Sequence, residues 1–194
     1  MINHRLNGRR IILASQSPRR QYLLKELGID FEIGKTDVKE IYPVGLKPME
    51  IAVFLAELKA NNFDTSSLEK DTIVITADTI VSIGEEILGK PRNYQEAIQM
   101  LQKLSNRKHD VITAVCLKSK TRMKVFHVLS SVSFKTLSME EIDYYIDNFQ
   151  PFDKAGGYGV QEWIGYIGIS KIEGSFFNVM GLPVKELYEE LLKF

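Results

Sequence analysis

The pattern of apolar and polar positions along the chain predicts alternating strands and helices. Apolar runs at residues 10–15 and 72–83 suit buried strands, and the second run is rich in β-branched residues. Residues 18–27 and 48–63 repeat apolar side chains at helical spacing. We further predict strands at 30–33, 87–88, 111–117 and 124–135, helices at 94–104, 139–149 and 183–194, and a hairpin over 167–177.

Capping signals mark several helix ends. Ser17 is a good N-cap, Pro18 suits the first helical position, and Gly28 suits the position just past the end. Two further pairs have the spacing of a capped helix start: Asn93 with Glu96, and Ser138 with Glu141. Because helices interleave with strands, the sequence predicts an α/β fold.

Composition narrows the function classes. The chain has 194 residues, enough for a single domain over 1–194, and its 25 basic and 25 acidic residues give no net charge. We therefore expect no general attraction to nucleic acid or to anionic lipid. No secretory signal and no apolar run of membrane-spanning length is visible, so the expected location is cytoplasmic. The single cysteine, Cys116, lies in an apolar run and is predicted to be a buried, inert thiol.

The segment at residues 15–20 joins a predicted strand to a helix start. Such an end exposes unpaired N–H groups and the positive end of the helix dipole, and both attract phosphate. Ser15, Ser17, Arg19 and Arg20 add hydroxyl and guanidinium donors there. A phosphate-binding turn is one interpretation; an ordinary helix cap with two solvated arginines is the other.

Asp78, followed by Thr79, lies inside the long apolar run. A carboxylate in a central strand is costly unless it has a partner or a task. It could hold a hard cation or accept a proton from an attacking water. A structural acid paired with a nearby base is the alternative.

Two later segments carry weaker signals. Lys90 and Arg92 flank Pro91, which would fix two cations before a helix; a solvated loop is the alternative. Residues 153–161, here called the glycine-rich segment, end in Gln161, whose amide could read a base edge. A turn-rich connector is the alternative there.

Several other residues show no pattern that indicates a catalytic or metal-binding site. His4, His109 and His127 lack metal-ligand spacing, so we expect surface or packing roles for them. Trp163 and the Tyr144–Tyr145 pair are predicted to pack in or beside the core. No P-loop, hydrolase elbow or zinc-protease motif occurs.

Taken in order, the segments resemble the Maf family of nucleotide pyrophosphatases. LASQSPRRQYLL, TADTIV with GKPR, DKAGGYGVQ and VMGLPV are similar to that family's motifs, in unbroken order from residue 11 to 192. The resemblance implies a Maf/ITPase-like α/β fold, with a long mixed sheet flanked by helices and two lobes around a nucleotide-binding cleft. It also implies hydrolysis of nucleoside triphosphates between the α- and β-phosphates, with a divalent cation such as Mg²⁺ or Mn²⁺.

The resemblance assigns roles residue by residue. Asp78 matches the catalytic aspartate, Lys90 matches a catalytic lysine, and Glu40 matches a functional acid in the polar segment 34–47. Glu40 and Asp78 are the implied metal-side acids, and whether Asp78 is a base or a metal ligand is left open. The implied substrate-binding residues are Ser15, Ser17, Arg19, Arg20, Lys59, Thr79 and Gln161. Of these, Arg19, Thr79 and Gln161 match positions that set base choice.

The details resemble the branch of the family that acts on dTTP and UTP. Gln16 and Leu58 depart from the usual pattern, where a small residue and a glutamate are more common. Two other functions stay open: a pyrophosphatase for modified nucleotides such as 7-methyl-GTP, and a nucleotide-binding regulator of septum formation in cell division. The expected partner is the nucleotide alone, without nucleic acid or membrane. The oligomeric state stays open, and a homodimer is among the alternatives.

Overall fold

The computed structural model describes residues 6, 8–66 and 68–194, so the prediction for His4 lies outside the described residues. Two short 3₁₀ turns are present: Pro151–Asp153 leads into the glycine-rich segment, and Ala155–Gly157 lies within it. The helices and strands, in chain order, are β1 Ile11–Leu13, α1 Pro18–Glu26, β2 Glu32–Ile33, α2 Pro48–Asn62, β3 Ile73–Ile83, β4 Glu86–Leu88, α3 Tyr94–Leu104, β5 Lys108–Lys118, β6 Met123–Phe134, α4 Met139–Phe149, α5 Trp163–Gly168, β7 Ile169–Glu173, α6 Phe176–Met180 and α7 Val184–Lys193.

The strands form one mixed sheet in the order β2-β1-β3-β5-β6-β7, with β4 paired to β3. β1 runs parallel to both β2 and β3, with Ile12 opposite Glu32 on one side and Val74 on the other. β4 is antiparallel to β3, and β7 is antiparallel to β6. This arrangement confirms the predicted α/β class with a long mixed sheet flanked by helices.

The chain divides into two compact units. Unit 1 contains the described part of Met1–Asp78 together with Thr113–Val128 and Gly181–Phe194. Unit 2 contains Thr79–Ile112 and Leu129–Met180. The division falls inside β3, between the neighbouring residues Asp78 and Thr79.

Unit 1 packs helix α2 through a narrow face of small and branched side chains. The buried residues of this face are Ile51, Ala52, Leu55, Ala56 and Ala60. Thr76 of β3 is buried as well, and its Oγ1 donates to the Ala56 carbonyl at 2.7 Å. This bond joins strand and helix two residues before Asp78, and it gives a buried hydroxyl the partner it needs.

Cys116 lies fully buried in the part of β5 that belongs to unit 1. Burial raises the pKa of its thiol to about 12, so the thiolate is not populated near neutral pH. The predicted buried thiol is confirmed.

Unit 2 is organised by the apolar stripes of α3 and α4. Ala97, Leu101 and Leu104 of α3 are fully buried in the same cluster as Ile142 and Ile146 of α4. Both helices begin as the sequence predicts: Asn93 accepts the Glu96 N–H at 2.9 Å, and Ser138 accepts that of Glu141 at 3.2 Å. Each cap satisfies an N–H that would otherwise lack an intrahelical partner.

The hairpin predicted over residues 167–177 is wrong. β7 pairs with β6, an existing strand, rather than with the chain that follows it. Gly174, with φ of 121°, ends the strand where the turn was expected. The next residues form helix α6, because Ser175 Oγ accepts the Asn178 N–H at 3.3 Å and starts a helical turn.

Among residues 6, 8–66 and 68–194, no helix combines the length and apolar character that crossing a membrane requires.

His109 is 2% exposed in the core of unit 2. Its Nε2 lies 2.7 Å from the Tyr158 hydroxyl, and its ring stacks on Phe134 at a centroid distance of 5.7 Å. Burial lowers its pKa to about 4, and the charge of Asp110 opposes this only in part. The imidazole is therefore neutral in the folded protein, which agrees with the packing role predicted for it. His127 is exposed, which agrees with the predicted surface role.

We expect this histidine to make the protein less stable in mild acid. Between the unfolded pKa of 6.5 and the folded pKa of about 4, the unfolded chain binds a proton that the native state does not. The free energy of unfolding should therefore fall with pH through this window, by about 2 kcal/mol at pH 5 from His109 alone. Urea unfolding of wild type and His109→Gln at pH 7.5 and pH 5.0 measures the difference.

The glutamine variant keeps a polar side chain beside Tyr158 but cannot titrate. Its free energy of unfolding should therefore fall less than that of wild type between pH 7.5 and pH 5.0, by about 2 kcal/mol. His127→Gln, an exposed control, should behave like wild type. Equal losses in wild type and His109→Gln would show that this histidine carries no such linkage.

Candidate active site

The turn from β1 into α1 carries the hydroxyls and guanidiniums of the predicted phosphate-binding residues. Ser17 occupies the N-cap with extended backbone, and its side chain makes no capping bond in the described structure. Its N–H donates instead to Ser15 Oγ at 3.3 Å. The first turn of α1 contains no acidic side chain, so its N–H groups keep their attraction for an anion. Arg19, the second helical residue, is half-buried.

Arg20 is built into unit 1 more firmly than a solvated arginine would be. Its Nε donates to the Gly181 carbonyl at 2.9 Å, and its Nη1 donates to the Ala77 carbonyl at 2.8 Å and lies 3.4 Å from Ser15 Oγ. Burial lowers the pKa of Arg20, and the charges of Asp78 and Glu40 oppose that shift. The guanidinium stays protonated. It therefore ties the turn at Ser15 to the backbone just before Asp78.

Asp78, Lys59 and Glu40 form one charged cluster, here called the acid–lysine cluster. Lys59 Nζ lies 2.8 Å from Glu40 Oε1 and also pairs with Asp78 Oδ1. The side chains of Asp78 and Lys59 are 9% and 13% exposed, whereas that of Glu40 is 47% exposed. Two carboxylates thus converge on one cation, with one acid shielded from solvent and the other open to it.

The local sequence explains how the cluster forms. Because residues 51, 52, 55, 56 and 60 form the buried face of α2, Lys59 falls on the flank of that face. The Thr76 bond to α2 places the following residues of β3 beside this flank. Glu40 comes from the segment 34–47, which contains neither helix nor strand, as its polar composition indicated.

Lys90 and Gln161 belong to segments of unit 2 that contact one another. Lys90 is exposed, directly after Gly89, whose carbonyl accepts the Gly156 N–H at 2.9 Å. Gly156 has φ of 73°, and a Cβ there would lie 3.0 Å from Val81 Cγ1, so the glycine permits this close packing. The turn that carries Lys90 is therefore attached to the glycine-rich segment.

Gln161 and Arg92 differ in whether the polar atoms described below have hydrogen-bond partners within the protein. Arg92 Nε donates to Glu96 Oε1 at 2.8 Å, so this arginine belongs to the start of α3. The amide oxygen of Gln161 is buried and has no hydrogen-bond partner among the described residues. The described contacts of the fold therefore leave the hydrogen-bonding capacity of this oxygen unused. Thr79, the other predicted base contact in this unit, is half-buried in β3.

The family model for Maf-like proteins matches residues 10–194. The chain belongs to the Maf-like protein family. This match covers every one of the predicted site residues, from Ser15 to Gln161.

Curated relatives of this Maf-like protein match it over nearly its whole length. A dTTP/UTP pyrophosphatase of Flavobacterium johnsoniae is 51% identical over 191 residues, covering 98% of both chains. One of Flavobacterium psychrophilum is 48% identical, covering 99% of this chain and 98% of the relative. One of Porphyromonas gingivalis is 50% identical, covering 95% and 94%.

The acid–lysine cluster fits a hard divalent cation. Within residues 6, 8–66 and 68–194, no three histidine, cysteine or acidic side chains converge as a complete metal site. Glu40 and Asp78 nevertheless present carboxylate oxygens around a positive charge, that of the Lys59 ammonium. Mg²⁺ is commonly held by one or two carboxylates, with substrate phosphates and waters as its other ligands.

Sequence reasoning missed three polar residues near Gln161 in unit 2. Lys154, which is buried, forms an ion pair at 3.1 Å with the half-buried Glu162, and Tyr145 bonds to the same glutamate. Tyr145 was predicted only to pack, which it does against Phe149. The single signal in the sequence is a pair of opposite charges, Lys154 near the start of the glycine-rich segment and Glu162 just after its end, and no periodicity relates them.

Proposed function

We propose that this Maf-like protein hydrolyses nucleoside triphosphates to a nucleoside monophosphate and pyrophosphate, with dTTP and UTP as preferred substrates. The observation that carries the proposal is the acid–lysine cluster, in which a shielded carboxylate, an exposed carboxylate and an ammonium meet in unit 1. The relatives named dTTP/UTP pyrophosphatase support the choice of reaction and substrate. A protein that only binds nucleotides has no need for an acid able to activate water.

The proposed reaction cleaves the anhydride bond between the α- and β-phosphates. A water oxygen forms a bond to phosphorus, the bridging oxygen leaves with pyrophosphate, and the water loses a proton. We assign that proton to Asp78, because its carboxylate lies in the acid–lysine cluster beside Lys59 and is shielded from bulk solvent. The serine hydroxyls and the N–H groups of the phosphate turn, Ser15–Ser17, bind phosphate oxygens, with Arg19 and Arg20 adding positive charge.

Lysine charges stabilise the leaving pyrophosphate. The substrate and the transition state carry several negative charges, so fixed cations lower the barrier most where charge develops. We assign this role to Lys59 and, on the family resemblance, to Lys90, whose exposed ammonium is held by a turn attached to the glycine-rich segment.

Glu40 and Asp78 are proposed to hold a divalent cation, Mg²⁺ or Mn²⁺. Such a cation, when bound, shields phosphate charge and orients the water. Glu40 suits this role because its carboxylate is exposed and can exchange the Lys59 ammonium for the arriving ion.

The direct test of the function is the release of pyrophosphate from a panel of nucleoside triphosphates. Rapid release of pyrophosphate with one monophosphate for each triphosphate is expected. Nucleotide binding without any release would favour the regulator of septum formation, and release of inorganic phosphate alone would place the cleavage at another bond.

Base choice is proposed to rest on Arg19, Thr79 and Gln161. Thymine and uracil present two carbonyl acceptors on either side of one N–H donor. The Gln161 amide can donate to a carbonyl, and its buried oxygen can accept the N–H. A cytosine or a purine with a different pattern would leave such groups unpaired, which is where large discrimination arises.

We expect wild type to show a higher kcat/KM for dTTP and UTP than for CTP, GTP or 7-methyl-GTP. Gln161→Ala should lower the ratio of kcat/KM for UTP to that for CTP by at least ~10-fold, because it removes the groups that match uracil. Gln95→Ala is the matched control, since Gln95 is exposed on α3. A wild-type preference for 7-methyl-GTP, or an unchanged ratio in Gln161→Ala, would contradict this assignment.

A further inference from the structure

Three polar side chains of unit 2 form a connected network beside Gln161, here called the Tyr–Glu–Lys network: Tyr145 on α4, Glu162, and Lys154 in the glycine-rich segment. The side chains of Lys154 and Glu162 are 9% and 19% exposed, and Tyr145 is fully buried. Lys154 Nζ lies 3.1 Å from Glu162 Oε1, and the Tyr145 hydroxyl donates to Glu162 Oε2. Lys154 also pairs with the more exposed Asp153 at 2.7 Å.

The hydrogen bonds of the network form a chain in which the Gly159 N–H donates to Tyr145 and Tyr145 donates to Glu162. The Gly159 N–H donates to the Tyr145 oxygen at 2.9 Å, so the single hydroxyl proton of Tyr145 is directed to Glu162. Burial, together with the bond to Glu162, raises the pKa of Tyr145, and the phenol therefore stays a donor. The Tyr145 hydroxyl thus links the backbone of Gly159, two residues before Gln161, to the carboxylate of Glu162, the residue directly after it.

The network is not explained by helix stability. Glu162 occupies the N-cap of α5, yet its side chain makes no capping bond in the described structure. Its carboxylate is committed to Lys154 and Tyr145 instead. A buried ion pair costs desolvation that its attraction barely offsets, and such pairs are best understood where they fix one arrangement of the chain.

Steric constraints act on the same stretch. A Cβ at Gly159 would lie 2.6 Å from Glu162 Cδ and 3.0 Å from Gln161 Nε2, so a larger residue there would displace both side chains. A Cβ at Gly165 would lie 2.0 Å from the Val160 carbonyl oxygen. The Gln161 carbonyl in turn accepts the Tyr166 hydroxyl at 2.8 Å. The backbone of Gln161 is thus held on both sides.

We propose that Tyr145, Lys154 and Glu162 are positioning residues that hold the Gln161 amide in the orientation that distinguishes uracil and thymine from cytosine. The inference rests on the proposed function of Gln161. Discrimination between bases by hydrogen-bond pattern requires that the reading group cannot turn to suit the wrong base. A glutamine has a flexible side chain, and a rigid backbone on both sides of it narrows the positions that this side chain can take.

The test is the ratio of kcat/KM for UTP to that for CTP in Tyr145→Phe. This variant removes one hydroxyl and keeps the buried ring. We expect the ratio to fall by about 10-fold, mainly through a higher KM for UTP, while kcat for UTP changes little. Tyr144→Phe is the matched control: Tyr144 is the neighbouring tyrosine of α4, 49% exposed, and removing its hydroxyl should leave the ratio unchanged.

A double-mutant cycle separates positioning from general damage. In the Gln161→Ala background, Tyr145→Phe should change the ratio by less than about twofold, because the group that it positions is gone. A further large fall in that background would overturn the proposal, since the effect would not pass through Gln161. Should Tyr145→Phe fail to fold by circular dichroism, Glu162→Gln carries the same measurement, since it breaks the ion pair with Lys154 and keeps an acceptor for Tyr145.

The outcomes for this inference and for the proposed function are distinct. If Gln161→Ala lowers the ratio and the network variants leave it at the wild-type value, the inference is wrong and the role of Gln161 stands. If wild type itself releases no pyrophosphate, or does not prefer UTP to CTP, the proposed function fails and the inference fails with it.

Discussion

Replacing Asp78 with asparagine is expected to lower kcat by at least ~10²-fold while the protein stays folded. The loss arises because an amide cannot take the proton of the attacking water. Folding should survive, since the asparagine oxygen still accepts from Lys59, and Lys59 keeps its second partner, Glu40. Pyrophosphate release at saturating substrate, with circular dichroism and thermal unfolding of the same preparation, measures both quantities.

Asp64→Asn is a suitable control for this experiment. Asp64 also belongs to unit 1, and its carboxylate accepts the Ser66 N–H at 2.9 Å, a bond that asparagine can reproduce. The control removes the same charge with the same change of shape, so its kcat should equal that of wild type. A folded Asp78→Asn protein with near-wild-type turnover would remove Asp78 from the mechanism.

Removal of divalent cations is expected to abolish turnover, by at least ~10³-fold, and addition of Mg²⁺ or Mn²⁺ should restore it. The carboxylate oxygens of Glu40 and Asp78 are of the kind that hard cations prefer, and both carboxylates lie at Lys59. The measurement is pyrophosphate release after exhaustive treatment with EDTA, followed by titration with each metal. Full activity in EDTA would show that the reaction depends on the protein's own cations.

Since nucleotides also bind Mg²⁺, a variant must show that the protein takes part. Glu40→Gln should raise the metal concentration that gives half-maximal activity by about 10-fold, because one charged ligand is lost. Glu26→Gln, at the exposed end of α1, is the matched control and should leave the metal titration unchanged. If Glu40→Gln titrates like wild type, Glu40 is not a ligand.

Local signals in the sequence predicted most of the secondary structure. The starts of α3 and α4 follow from cap pairs three residues apart, since both partners act within one helical turn. The hairpin at residues 167–177 failed because strand pairing is a long-range choice: β7 could pair only with a strand more than 30 residues earlier, β6.

The sequence indicates which residues belong to the candidate site, but it does not indicate which of these residues contact one another. The motifs around Ser15, Asp78 and Gln161 predicted the family, which the match over residues 10–194 confirms. That Lys59 joins Glu40 to Asp78 depends on how a helix, a strand and a long irregular segment pack, and no spacing in the sequence encodes it. The roles of these residues stay predictions that the variants above test.

The two glycines beside Gln161 limit how this stretch can change during evolution. A methyl group at Gly165 would collide with the Val160 carbonyl, which is fixed backbone, whereas one at Gly159 would meet the movable end of the Glu162 side chain. A larger residue at Gly159 therefore requires the Glu162 carboxylate to leave its position beside Lys154 and Tyr145.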